Sequence, residues 1–299
     1  MNRDEALRLL EADRDVRLLR RVPGVASWPL APTSDNLRRA IFVDTETTGL
    51  DADDDEVIEL AMLPFDYDRD SGAIVAVHVD AALSALRQPS KPIPPESAAI
   101  HGIRDEDVAG KTIDPARITA LLDEAQLVIA HNAAFDRPMV EKLWPVFETK
   151  HWACSLADID WRGEGLGASK LDYLLMRQGW FFDDHRALAD ALAATFLLTL
   201  PLPRSGKPAL AGLLECARRP LCAVRAIDTA FEQRAALKAR GYRWDAGDGA
   251  RAKAWWTLTD NPQAEIDWLN ADIYAAPRDI PVINVPATRR YSARLWPAD

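Results

Sequence analysis

Between Asp4 and Arg21 the chain sets Leu7, Leu10, Leu18 and Leu19 among charges, which predicts an amphipathic helix over 4–21. A connector bearing Pro and Ser follows over 22–36. From Arg39 the period changes to that of strands. Short apolar runs predict strands over 41–45, 57–65 and 74–79, separated by the turns 51–56 and 66–72. Those links are too short for crossover helices, so the three strands should be antiparallel neighbours. A proline-rich segment (Pro89, Pro92, Pro94, Pro95) leads into helices over 96–100 and 115–124. A fourth strand over 127–130 ends in His131 and Asn132. The helix after it runs to about Leu143 and, because of Pro138, starts near Ala134. A short strand at 152–155 and helices over 170–178 and 185–200 complete an alternating α/β region.

That last helix stops at Pro201 and Pro203, which sets the expected organisation: an N-terminal helix and connector at 1–38, a main α/β domain at 39–204, a linker at 205–214 and a small α+β domain at 215–299. In the small domain a helix over 232–240 stops at Gly241, and 242–245 with 254–258 form a hairpin around Gly247 and Gly249.

The 299 residues, 48% of them hydrophobic, suffice for a large domain and a small one. No apolar stretch is long enough to span a bilayer, and the charged opening (Asn2, Arg3, Asp4, Glu5) is unlike a secretory leader, so the expectation is a cytoplasmic protein without a membrane partner. Cys154, Cys216 and Cys222 form no Cys-x-x-Cys pair and are expected as buried thiols. The five histidines stand singly, so a metal would be held mainly by oxygen, which favours magnesium or manganese. A net charge of −10 opposes a polyanion, but its distribution is uneven. Residues 1–214 hold 23 Lys+Arg against 35 Asp+Glu, whereas 215–299 hold 13 against 11. Within 216–256 nine Lys+Arg face four Asp+Glu, with Trp244, Trp255 and Trp256 interleaved. That mixture suits either a grip on a single strand or the core of a very small domain with arginines outside.

The strand over 41–45 runs into Asp44-Thr45-Glu46-Thr47-Thr48-Gly49. Side chains two residues apart on a strand share a face, so Asp44 and Glu46 should project together and attract cations. From Ala187 to Leu200 every residue is apolar or Thr except Asp190, and a lone carboxylate there is costly unless something pairs with it. Asp136 lies just past the end of a strand, where α/β sheets gather chemistry.

Asp44-Thr45-Glu46-Thr47-Thr48-Gly49, His131-Asn132-Ala133-Ala134-Phe135-Asp136 and His185-Arg186-Ala187-Leu188-Ala189-Asp190 resemble, in order and spacing, the three motifs of the DEDDh (DnaQ-like) 3′-to-5′ exonucleases. Ile100-His101-Gly102-Ile103 and Trp152-Ala153-Cys154-Ser155 fit the same family, and the resemblance covers about 39–200. It implies a ribonuclease-H-like mixed sheet flanked by helices and release of nucleoside 5′-monophosphates from a free 3′ end. It also implies two divalent cations, Mg2+ or Mn2+: Asp44 bridging both, Glu46 and Asp190 completing the first site, Asp136 helping to hold the second. His185 would take the proton of the attacking water. Thr45, Thr47, Gly49 and Leu50 would touch the terminal nucleotide. Phe135 would either stack on a base or fill the core. His101 is expected to be structural, with lining of the site as the alternative, and His131 and Asn132 to fix a turn.

The expected substrate is single-stranded DNA, with RNA trimming, proofreading beside a polymerase or repair complex, and binding without catalysis as alternatives. No polymerase domain is present in this chain, so proofreading would need a partner. The segment from Leu237 to Asp245 with Lys253-Ala254-Trp255-Trp256 resembles a small, poorly characterised module appended to some bacterial exonucleases of this type.

Overall fold

A computed structural model describes residues 2–248 and 251–296. The chain divides into two compact units, Met1–Ala217 and Arg218–Asp299. Among the described residues no helix is long and apolar enough to cross a membrane.

The first unit is built on one mixed sheet. In chain order its elements are helix α1 (Arg3–Ala12), strands β1 (Arg20–Arg21), β2 (Leu37–Thr47), β3 (Val57–Asp68), β4 (Ile74–Val77) and β5 (Leu83–Leu86), then helices α2 (Pro95–His101), α3 (Asp105–Val108) and α4 (Pro115–Glu124). There follow β6 (Leu127–Ala130), α5 (Ala133–Leu143), β7 (Trp152–Cys154), α6 (Leu171–Arg177), β8 (Trp180–Phe181), α7 (Ala187–Thr199) and α8 (Ala209–Ala217). The strand order is β4-β3-β2-β6-β7, with β5 also paired to β3. Strands β2, β3 and β4 form the expected antiparallel meander, whereas β2 pairs parallel with β6 and β6 parallel with β7. This is the ribonuclease-H-like arrangement.

Strand β2 is central, and Ala40, Ile41, Phe42 and Val43 are fully buried because both faces are covered. Helix α7 packs against β2 and β3, and its Phe196 meets Trp28 at 5.4 Å and Trp180 edge-on at 5.0 Å. An apolar helix with one carboxylate is therefore a core element, its exception at the N-terminal turn.

Two expectations change, and one strand is new. The first helix ends at Ala12 rather than reaching Arg21: the Asp13 carboxylate accepts the Asp15 amide, turning the chain, and Arg20–Arg21 pairs parallel with Trp180–Phe181. The expected linker 205–214 is corrected too, since α8 begins at Ala209 and buries Ala209, Leu210, Leu213 and Leu214 in the main core. The Pro201, Pro203 and Gly206 signals mark a tight turn, closed by a bridge between Pro201 and Pro208, and the unit ends only after Ala217. Strand β5 is short and mixed in pattern, so no sequence signal predicts it; its backbone pairing to β3 defines it.

The second unit comprises β9 (Leu221–Ile227), α9 (Arg234–Ala239), β10 (Arg243–Asp245), β11 (Ala254–Thr259), α10 (Pro262–Trp268) and β12 (Val282–Val285). The expected helix and hairpin are present in a four-stranded antiparallel sheet of order β10-β11-β9-β12. Gly247 shapes the hairpin turn at φ 71°, and Gly249 lies outside the described residues. Of the three cysteines, all unbridged, Cys154 is buried whereas Cys216 and Cys222 are only partly so.

Gly72 offers a test of the α8 assignment. At φ 68° it has a left-handed backbone, and a Cβ there would lie 2.6 Å from the Ala211 Cα in α8. Gly72→Ala is expected to lower the stability of the first unit by about 1–3 kcal/mol in urea unfolding. An unchanged midpoint would detach α8 from this core.

Candidate active site

Because β2 and β6 run parallel, their C-terminal ends open onto the same edge of the sheet, and the N-terminus of α5 follows β6 directly. Asp44 and Glu46 stand at the end of β2, Asp136 in the first turn of α5 and Asp190 in the first turn of α7. One carboxylate oxygen from each of Asp44, Glu46 and Asp190 lies within 4.8 Å of the other two. Asp136 is outside that trio but adjoins it, for among neighbouring carboxylates its charge acts most strongly on Asp44. Three of the four acids expected to converge meet in one cluster, and Asp136 adjoins it through Thr45.

Their electrostatics are unfavourable without a counter-charge. Burial, then repulsion by Asp136, Asp190, Glu46 and Glu59, pushes Asp44 well above the usual carboxylate range. Burial and the charges of Asp190, Glu59 and Asp136 push Glu46 up to about 8. Asp136 is raised by burial to about 7, against the opposing pull of the Thr45 hydroxyl. Asp190 rises to about 6 through burial, moderated by the Arg186 amide and by His185. Acidic oxygens held this close, on a hard-oxygen donor set without cysteine, fit a divalent cation.

The supporting contacts explain how the acids are held. Thr45 is buried, and its hydroxyl donates to the Asp136 Oδ1 at 2.9 Å. Of the residues expected to meet substrate, Thr45 therefore points inward, to a carboxylate. Thr47 is also buried, its hydroxyl donating to the Gly49 carbonyl at 2.6 Å. Past Gly49, the Asp55 carboxylate accepts the Thr48 hydroxyl at 3.0 Å and the Asp51 amide at 2.9 Å, and a Cβ on Gly49 would strike it at 2.4 Å. This braced turn leaves Leu50 86% exposed. Phe135 is half-buried on α5.

His185 is exposed, with its Nε2 3.3 Å from the Asp184 carboxylate. Its φ of 67° is a left-handed conformation that costs a residue with a Cβ about 1–3 kcal/mol. The next two residues pin it. Arg186 donates through Nε (3.1 Å) and a terminal nitrogen (2.8 Å) to both oxygens of Glu59, and the Ala187 amide reaches the same carboxylate at 3.2 Å. The Arg186 amide donates to Asp190 at 3.0 Å. Glu59 and Arg186 were missed in the sequence, although Glu59 is the single charge in the apolar run 57–65, the same signal that singles out Asp190.

Two other histidines are held by internal hydrogen bonds. His131 accepts the Ser155 hydroxyl at Nδ1 (2.9 Å) and donates from Nε2 to the Ser169 carbonyl (2.8 Å), and burial lowers it to about 4. His101 is buried at the end of α2, its Nδ1 accepting the Ile103 amide at 3.0 Å. Asn132 precedes α5 as its N-cap residue without a side-chain bond to the helix, so it fixes the turn through backbone alone.

Comparison with known proteins agrees with this arrangement. The exonuclease family model matches residues 41–198. An uncharacterized exonuclease, CP81, of Escherichia phage 186 is 39% identical over 104 residues, 33% of this chain and 46% of that protein. The DNA polymerase III subunit epsilon of Treponema pallidum (strain Nichols) is 35% identical over 98 residues, 31% of this chain and 40% of that protein. The matches thus cover less than half the length of these curated relatives. Exonuclease X in complex with 5′ overhanging duplex DNA is similar at 25% identity and a TM-score of 0.39, over 60% of this chain and 99% of that one. E. coli exonuclease I in complex with a 5cy-dT13 oligonucleotide is similar at 15% identity and a TM-score of 0.46, over 85% of this chain and 66% of that one. With the family model spanning more than half of its length, the chain belongs to the exonuclease family, and its sheet and motifs are of the DnaQ-like kind.

Proposed function

We propose that this protein is a metal-dependent 3′-to-5′ exonuclease that removes nucleoside 5′-monophosphates from the 3′ ends of single-stranded nucleic acid, DNA in preference to RNA. The observation that carries this reading is the meeting of Asp44, Glu46 and Asp190 within 4.8 Å, with Asp136 beside them. The direction of attack and the count of two cations rest on the resemblance of the three motifs to the DEDDh enzymes.

Divalent cations bound by these acids would activate a water and neutralise the charge that develops on the phosphate and the leaving 3′ oxygen. The chain's own groups supply the rest. Asp44, Glu46 and Asp190 provide the acidic oxygens, and Thr45 orients Asp136 toward them. His185, exposed beside Asp190, accepts the proton of the attacking water, and Glu59 with Arg186 holds the backbone that carries it. Leu50, exposed on the turn after Gly49, packs against the terminal base. Phe135 offers a second apolar surface. A polymerase or repair assembly would be a partner that delivers such ends.

Two sets of measurements test this. Offered 5′-labelled single-stranded DNA, duplex DNA and RNA with Mg2+ or Mn2+, the protein should shorten single-stranded DNA fastest, from its 3′ end. Asp44→Ala should be inactive, and His185→Ala should lose about 10²–10⁴-fold in kcat. Wild-type rates in both variants, or immediate release of the 5′ label, would contradict the reading.

Glu59→Gln removes the charge that grips Arg186 while keeping the side chain's shape. Its kcat is expected to fall about 10- to 100-fold with KM little changed. An unaltered kcat would show that the ion pair serves stability alone.

A further inference from the structure

In the second unit the tryptophans have divided roles. Tyr242 and Trp268 pack at 5.9 Å, and Trp256 meets Trp296 edge-on at 5.1 Å. Val224, Ala226, Leu237 and Leu269 fill the core on one face of the sheet, with Trp255 packed against them. Trp244 is different. It lies on β10, which pairs on one side only, with β11, and it remains 52% exposed.

Trp244 does not stand alone. Its cross-strand partner in the register is Trp255, whose ring lies 5.5 Å away edge-on, and the Lys238 ammonium sits 5.8 Å from that second ring. On the opposite face the Arg243 guanidinium lies 5.9 Å from Trp256. Lys238, Arg243 and the nearby Lys253 are all exposed, and among the described residues none forms an ion pair. Their neighbours behave otherwise: Arg240 is held by Glu265, and Arg251 by Asp245 and Asp248. Cations are thus left without an acidic partner around an exposed indole, whereas Arg219, Arg225, Arg240 and Arg251 are each paired with a carboxylate.

We infer that the edge strand Arg243–Asp245, with Lys238 and Lys253, is a binding site for single-stranded nucleic acid, in which Trp244 stacks on a base and the three cations meet phosphates. An indole face is available only to an unstacked base, which excludes the interior of a duplex. An acidic peptide would answer the charges but would leave the indole without a partner ring. The site lies within residues 215–299, where Lys and Arg outnumber the acids, 13 to 11, against 23 to 35 in residues 1–214. The inference rests on the nuclease reading for the choice of substrate, but its test does not depend on catalysis.

The full-length protein, held in chelator so that no hydrolysis occurs, is titrated into a fluorescently labelled oligothymidylate while anisotropy is followed. Trp244→Ala should weaken binding roughly 5- to 100-fold, the loss expected for one stacked base, and Trp244→Phe should recover most of it. Lys238→Glu combined with Arg243→Glu should weaken binding and flatten its dependence on salt, by roughly 0.7 in the logarithmic slope for each phosphate no longer neutralised. With Mg2+ or Mn2+ present, Trp244→Ala should raise KM for long single strands and leave kcat unchanged. Hydrolysis of the p-nitrophenyl ester of thymidine 5′-monophosphate, which reaches only the acids, should be unaffected. Binding by Trp244→Ala equal to that of the wild type, or an equal loss for blunt duplex DNA, would overturn the inference. Failure of the wild type to hydrolyse either substrate would count against the catalytic reading and leave the anisotropy result to decide this one.

Discussion

Carboxylates brought together out of water repel one another, and the first unit of this protein is organised around such a group. Asp44, Glu46, Asp136 and Asp190 come from a strand and two helices far apart in sequence, and each is raised above the ordinary carboxylate range by burial, three of them further by their neighbours' charge. That arrangement opposes folding unless a positive charge enters it. The surrounding contacts oppose the repulsion: a parallel strand pair aims two chain segments at one edge, Thr45 ties Asp136 to β2, and the Arg186 amide ties Asp190 to the start of α7.

The same edge holds His185, the proposed proton acceptor. Strand β3 places Glu59 directly across from Glu46, where two like charges would ordinarily be unfavourable, but Arg186 covers Glu59 with two hydrogen bonds. This ion pair reaches from the sheet to the residue after His185 and holds it in a backbone conformation that is otherwise unfavourable. The stability of the sheet and the placement of the imidazole are therefore linked through one carboxylate.

Much of this was legible in the sequence because burial on both faces leaves a plain mark. The apolar runs of β2, β3 and β6 and the apolar stretch of α7 could be read directly, and Asp44, Glu46 and Asp190 stood out against them, although Glu59 in β3 did not. What escaped notice depends on tertiary contact. Strand β5 exists because β3 has a free edge to pair with, and α8 hides behind proline and glycine signals that mark a turn. The inward aim of Thr45 and the grip of Arg186 on Glu59 are pairings between distant segments, which no local pattern encodes. In the second unit the tryptophans could not be sorted between core and surface until the strand register put Trp244 on an open edge.

The central claim is that the acids are a cation site under electrostatic stress, and melting with and without metal as a function of pH measures it. An acid whose folded pKa is raised holds its proton in the native state after the unfolded chain has lost it. Native stability in chelator therefore falls as pH rises from about 4, where unfolded carboxylates ionise, through the raised values that reach about 8 for Glu46. Bound Mn2+ removes that penalty. The increase in melting temperature produced by saturating Mn2+ should therefore be small at pH 5, large at pH 8 and strongly reduced in Asp44→Asn. An increase of equal size at both pH values, or one that survives intact in Asp44→Asn, would contradict the account.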